Sequence, residues 1–144
     1  MRGTVKAVCI SDIKGVQKKD VQRAMLKKNW GIVGDAHAGE HNRQVSLLSF
    51  EKAETFNERG AGVSHGDFGE NLVVEGIDPA ALSVGTLLKC GHATLEVTQI
   101  GKECHDRCQI YHKMGDCIMP REGTFARVLE GGEVGVGDVL EVLP

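Results

Sequence analysis

"TLLKCGHATLEVTQIG", residues 86–101, decides the class of fold. It reads as two strands, 86–91 and 93–101, rich in Leu, Val, Thr and Ile and bounded by glycine. The same signature recurs in "TVKAVCIS" (4–11), "QVSLLS" (44–49), "ENLVVEGI" (70–77) and "VLEVL" (139–143). Nineteen glycines against three prolines point to many tight turns between short elements. Helices are fewer. "SFEKAETFNERG" (49–60) opens on a capping residue, Ser49, puts Phe50, Ala53 and Phe56 on one side and stops at Gly60. "DVQRAMLKK" (20–28), capped by Asp20, and "CHDRCQIYHKMG" (104–115), ended by Gly115, are expected to be two more. The pattern predicts a mostly β protein with short helices, a β-barrel with helical insertions.

A chain of 144 residues fits one domain, residues 1–144, large enough to build its own core. With only six aromatic residues, that core must rest on Val, Leu, Ile and Ala. A formal net charge of -3 gives no global attraction for nucleic acid or an anionic membrane, although "KKDVQRAMLKKNW" (18–30) is a local basic cluster. The N-terminus lacks the apolar run of a signal peptide, and no stretch approaches the ~18 apolar residues of a membrane span. The expected location is the cytoplasm, where disulfides are disfavoured. The five cysteines are therefore read as thiols, metal ligands or nucleophiles.

Three of them, Cys104, Cys108 and Cys117, fall within "GKECHDRCQIYHKMGDCIMPREG" (101–123), beside His105, Arg107, Asp116 and Arg121. On a helix, Cys104 and Cys108 would stand at i and i+4, with Cβ atoms roughly 5–6 Å apart. A disulfide needs about 3.8 Å, whereas two thiolates on a soft metal, each bond about 2.3 Å, suit the wider spacing. Packing as small buried hydrophobes and a structural zinc site stay open beside that reading, although C-x3-C-x8-C matches none of the common zinc-finger spacings. A second cluster, "GIVGDAHAGEHNRQVSLLS" (31–49), sets Asp35 and His37 between glycines and leads through Arg43 and Gln44 into a strand. Glycines let backbone N–H groups approach an anion, and Arg43 offers a fork for phosphate. The bland alternative is a hairpin turn with a solvated tip. The third, "SHGDFGENLVVEG" (64–76), holds His65, Asp67, Glu70 and Asn71 ahead of a strand. Each cluster adjoins a strand end, so the three are expected to meet in one cavity at the barrel mouth.

Taken in order, "GIVGDAHAG…RQVSLLS", "HGDFGENLVVEGID", "LSVGTLLKCGHATLEVTQIGK", "CHDRCQIYHKMGDC" and "GTFARVLEGGEVGVGDVLEV" resemble the MOSC domain family, relatives of the C-terminal domain of molybdenum cofactor sulfurase. The resemblance runs from about residue 31 to the end. It implies a MOSC-type β-barrel that handles molybdenum cofactor (molybdopterin, a pterin with a dithiolene and a phosphate) or sulfur bound for metal clusters. "RCQI" at Arg107–Ile110 resembles the amidoxime-reducing relatives and makes Cys108 the matching thiol. "ECH" at Cys104 resembles the hydroxylaminopurine-resistance branch, so both cysteines stand as candidates.

What the resemblance implies for the residues follows. Arg43, Arg121 or loop amides would hold the phosphate, and Asn71, Gln44 and Glu70 the pterin, within a site that also includes Asp35, His37, His65 and Arg107. Cys108 or Cys104, its thiol made acidic by Arg107 and a cationic His105, would ligate the metal or carry a persulfide, with Cys117 as auxiliary. The chain lacks the pyridoxal-phosphate domain of the larger sulfurases, so pyridoxal phosphate is not expected. Carrier or transfer work with cofactor-biosynthesis proteins or a recipient molybdoenzyme is favoured. The alternatives are a molybdenum-dependent reductase of N-hydroxylated compounds and a zinc-stabilised binding module.

Overall fold

The structure, a computed structural model, describes residues 1–102, 114 and 118–144. In chain order the elements are β1 (Arg2–Ile10), β2 (Lys19–Asp20), β3 (Arg23–Lys27), β4 (Gly31–Ile32), β5 (Val45–Ser49), α1 (Phe50–Glu58) and β6 (Leu72–Glu75). A 3-10 turn (Pro79–Ala81) then leads to β7 (Leu87–Cys90), β8 (Ala93–Ile100), α2 (Met119–Glu122), β9 (Thr124–Glu130), β10 (Gly132–Gly135) and β11 (Val139–Val142). The expected helix at 104–115 lies outside the described residues.

The stretch 86–101 forms a hairpin. Cys90 pairs with Ala93, leaving Gly91 and His92 as a two-residue turn. Gly91 has φ +56°, and a Cβ there would stand 2.8 Å from the Glu133 carbonyl oxygen and 2.7 Å from an Asp138 carboxylate oxygen. Glycine is therefore required by contact as well as by conformation. Around this hairpin seven strands close a barrel in the order β1–β11–β7–β8–β9–β5–β6 and back to β1. Every barrel pairing is antiparallel except β5–β6, which is parallel.

Parallel neighbours need a crossover, and α1 supplies it. The Ser49 hydroxyl caps the helix by accepting from Lys52 N at 3.2 Å, Ala53 and Phe56 are buried, and Gly60 at φ +94° follows its end. Lys52 reaches out to Asp78 at 2.9 Å and Glu122 at 2.5 Å, linking α1 to α2.

Among the described residues, the barrel interior has no aromatic side chain. Val5, Val8, Val45, Leu47, Leu72, Val74, Leu88, Leu95, Val97, Val128 and Leu140 fill it, none more than 1% exposed. The phenylalanines pack outside the barrel wall: Phe56, Phe68 and Phe125 with Leu48 and Met119 against α1, and Phe50 beside Ala7, Cys9 and Val73.

The stretch 20–28 departs from the helix expected there. Asp20 caps no helix; its carboxylate accepts from Val8 N at 3.2 Å and Gln22 N at 2.9 Å, and Gln22 sits at φ +71°. Arg23 to Lys27 then alternate outward and inward, with Leu26 buried, and pair with β10 on one side and β4 on the other. The strands β2, β4, β9 and β10 were not expected from the sequence either. No helix among the described residues is long and apolar enough to cross a membrane.

Leu47 sits in the interior with no exposed surface. Leu47→Ala is expected to cost about 2–5 kcal/mol in urea unfolding with an unchanged slope. A loss under about 1 kcal/mol would mean that the interior collapses around the gap.

Candidate functional site

Side chains alternate across a strand, so the residues between the inward-facing ones define an outer wall. On β5, Val45 and Leu47 point in while Leu48 packs outside; on β9, Ala126 points in and Phe125 outside. Ser46, Asn71, Gln99 and Phe125 of this wall form the floor of a cleft of about 660 Å³. The expected cavity thus lies against the outer face of the barrel rather than in its mouth, because the interior is packed solid with apolar side chains. Loop 33–44 supplies His37, His41, Asn42 and Arg43, the β1–β2 loop supplies Lys14, and Gly69 comes from the loop before β6. Lys102 and Met119 complete the lining from either side of the cysteine-bearing segment. The backbone at those two sides is joined, with Gly101 N donating to the Gly123 carbonyl and Lys102 N to the Pro120 carbonyl, each at 2.7 Å.

The charge of the cleft is one-sided. Lys14, Arg43 and Lys102 line it with two histidines, and no carboxylate does so among the described residues. The Arg43 guanidinium lies 5.5 Å from the centre of the Phe125 ring, a cation–π contact that holds it over the floor. Among the described residues it has no hydrogen bond or ion pair, so its donors face the cleft uncommitted.

Beneath the cleft is a buried ion pair. Lys18 Nζ stands 2.6 Å from Asp35 Oδ1, and the two side chains are 1% and 0% exposed. Asp35 also accepts from Ser11 N at 3.2 Å and His37 N at 3.3 Å, tying the β1–β2 loop to loop 33–44. Lys18 Nζ is 2.8 Å from His37 Nδ1 as well. Burial, and then the Lys18 charge, push the His37 imidazole below its ordinary value, which keeps the ring neutral. The Lys18 backbone rests on Gly66, whose carbonyl accepts from Lys18 N at 2.9 Å. A Cβ at Gly66 would come within 2.1 Å of the Lys18 carbonyl oxygen, so only glycine allows the two loops to dock.

The other expected residues are scattered. Asn71 lines the floor, but its amide is committed: Oδ1 accepts from Ser46 N at 2.9 Å and Nδ2 donates to the Cys9 carbonyl at 3.0 Å, which ties β1, β5 and β6 together. Gln44 is buried away from the cleft, donating to Asn29 Oδ1 at 3.1 Å and accepting from Val128 N at 2.9 Å. His65 packs on Phe50 beside a different groove, with Lys19 and Asp67. Arg121 is exposed on α2 and does not line the cleft. Cys104, Cys108, Cys117 and Arg107 lie outside the described residues. Cys9 and Cys90 are buried thiols whose burial raises them, Cys90 to about 12, so neither offers a thiolate near neutral pH. Sequence reasoning named neither Lys14, Lys102, Gln99 and Phe125 of the lining nor Lys18 beneath it.

Glu70 is fully buried, with Oε1 accepting from Phe68 N at 3.1 Å and Oε2 without a partner among the described residues. Burial pushes its carboxyl up to about 7.

With the geometry in hand, comparison with known proteins places it. The MOSC domain model matches residues 34–141, three-quarters of the chain. The chain belongs to the MOSC domain family. MOSC domains are associated with binding related to the molybdenum cofactor. The crystal structure of the YuaD protein from Bacillus subtilis is similar, with a TM-score of 0.81 at 22% identity over 99% of this chain and 96% of that one. YiiM from Geobacillus stearothermophilus gives 0.75 at 19% identity, over 99% of this chain and 75% of that one. YiiM from Escherichia coli gives 0.69 at 21% identity, over 100% and 70%. At such identities the likeness is one of fold. No curated protein matches the sequence.

The Glu70 carboxyl gives a pH signature. Its native value of about 7 exceeds the ordinary 4.5, so between those values the folded chain holds a proton that the unfolded chain has released. Its contribution therefore falls as pH rises through that window, by on the order of 3 kcal/mol in all. Glu70→Gln is expected to gain stability relative to the unaltered chain between pH 5 and 8, read as a widening gap in Tm. A gap that does not change with pH would show a carboxylate that is already ionised and paired.

Proposed function

We propose that the chain binds molybdenum cofactor in this cleft and serves as a cofactor or sulfur carrier in its maturation or delivery. One observation carries the reading: a cleft lined by three cations without a carboxylate among the described residues, with both sides of the cysteine-bearing segment at its edge. A guanidinium uncommitted among the described residues, over an aromatic floor, fits a phosphate-bearing heterocycle, since it offers bidentate donors and a flat apolar surface together. Arg43, with Lys14 and Lys102, would hold the phosphate. Asn42 and Gln99 are the polar groups nearest to hand for the pterin, while Gln44, Glu70 and Asn71 serve the fold around it. When bound, the cofactor supplies a dithiolene-held metal capable of redox and sulfur-exchange chemistry.

The cysteine of 104–117 that does the work is assigned to Cys108 on its "RCQI" context, with Cys104 next and Cys117 as auxiliary. As a carrier, its thiolate attacks the outer sulfur of a donor protein's persulfide. A new S–S bond forms on this chain, and the donor leaves as a thiolate. The donor and the recipient would be cofactor-biosynthesis proteins or a molybdoenzyme.

Metal analysis of protein purified from a molybdate-supplied host tests the reading. Near-stoichiometric molybdenum or a persulfide supports it, and stoichiometric zinc with loss of fold on chelation would replace it with a zinc-stabilised module. Stable molybdenum content with turnover of amidoximes or hydroxylaminopurine would make the chain a reductase. Arg43→Ala is expected to weaken cofactor binding by about 1.5–3 kcal/mol with little change in Tm, because among the described residues its guanidinium makes no hydrogen bond or ion pair and only one ring contact, to Phe125. Equal losses of binding and fold would contradict an anchoring role. Cys108→Ser is expected to abolish molybdenum retention or persulfide formation in a barrel that still folds. Retention by that variant and loss by Cys104→Ser would move the role to Cys104, and no effect from either would end the carrier reading.

A further inference from the structure

We propose that Lys18 is a positioning residue that fixes His37 as a neutral hydrogen-bond donor to whatever the cleft binds. The ligand half of this inference rests on the cleft reading above. The Lys18–His37 half rests on the contacts between the two residues.

An ammonium has three donors and no acceptor. Lys18 Nζ spends one on Asp35 Oδ1 at 2.6 Å and stands 2.8 Å from His37 Nδ1. That ring nitrogen must therefore accept, and the single proton of a neutral imidazole must lie on Nε2. An imidazolium would set N–H against N–H at 2.8 Å, which the buried ion pair leaves no room to relax. The ring lines the cleft, so the polar group it can offer there is Nε2–H. Its charged surroundings agree: Lys18, Lys102 and Lys14 disfavour a second proton, Asp35 alone among the described residues favours it, and His41 and Arg43 share the cleft.

The consequence is selectivity. Lys14, Arg43 and Lys102 attract any anion, whereas a fixed N–H donates only to an oxygen or an unprotonated ring nitrogen at its own position. Because the ring stays neutral, the donor also persists through the neutral pH range rather than becoming one more cation.

Two measurements on the full chain decide it. The first is nitrogen NMR of the His37 ring in the ligand-free protein. A proton on Nε2 and a midpoint below the ordinary 6.5 are expected, and a proton on Nδ1 or a midpoint at or above 6.5 overturns the proposal. The paired substitution Lys18→Met with Asp35→Asn removes both buried charges together, leaving neither stranded. It should release the ring to either tautomer and raise its midpoint, an effect that a merely structural lysine would not have.

The second uses inorganic sulfate as the probe, since its charge is constant near neutrality. In a His41→Gln background, sulfate affinity should change less between pH 8 and 6 with Lys18 present than in the paired variant, and an equal or larger change with Lys18 present overturns the proposal. In the paired variant it should strengthen as pH falls through the new midpoint. His37→Ala should weaken sulfate binding about tenfold, and an unchanged affinity overturns the donor role. If the unaltered chain binds no sulfate, the anion-cleft reading fails with the ligand half of this proposal, while the NMR result still decides whether Lys18 governs His37.

Discussion

The parallel pairing of β5 with β6 is the constraint on which the rest of the molecule turns. Leu47 lies opposite Leu72 and Ser49 opposite Val74, so the two strands start at the same end of the barrel. Two consequences follow from that direction alone. The chain must return along the outside of the barrel between them, which α1 does with Ala53 and Phe56 packed inward. The loops that precede the two strands, 33–44 and 59–71, must also meet at one end. An antiparallel pair would have separated them. The cleft exists where these loops meet the outward residues Ser46, Asn71 and Phe125.

What keeps the loops in place is electrostatic and buried. Lys18 and Asp35 are removed from water, a cost that is offset only by close contact and by further hydrogen bonds from Ser11 and His37. Such a pair adds little net stability compared with an apolar pair of the same volume. It does fix register, because displacing either loop would strand a charge in the interior. Gly66 adds a steric condition to the same junction, since the Lys18 carbonyl occupies the place of a side chain.

The legible part of this architecture is the part encoded locally. The hairpin at 86–101 shows in the sequence because glycine and β-branched residues sit where pairing needs them, and α1 shows because Ser49 and Gly60 mark both ends. The stretch 20–28 misleads for the same reason: Ala, Met, Leu and Lys favour helix in isolation, and partners on β10 and β4 override that preference. At the site, the sequence signals a polar cluster but not which way each residue faces. Arg43 and Gln44 are neighbours, yet one looks into the cleft and the other is buried on Asn29 and Val128. Nothing local separates Lys18 from Lys19; only the fold buries one and exposes the other. His37, Arg43 and Asn71 are brought to the cleft, whereas Lys14, Lys102 and Phe125 reach it from elements distant in sequence.

Placing the cleft on the outer wall separates two demands that a barrel mouth would set in conflict. The interior must be apolar and filled, as it is from Val5 to Leu140, and a cationic group there would have to be neutralised. Outside the wall, Lys14, Arg43 and Lys102 keep contact with water, so their mutual repulsion is screened and the ligand-free fold tolerates it. On the proposed reading, an arriving anion would gain from all three at once and would displace no protein carboxylate among the described residues. Attraction of this kind acts over roughly a Debye length and weakens with salt. The charged part of the proposed recognition would therefore belong to capture, and the choice among captured anions would fall to the groups with fixed direction, the Arg43 fork over Phe125 and the imidazole of His37.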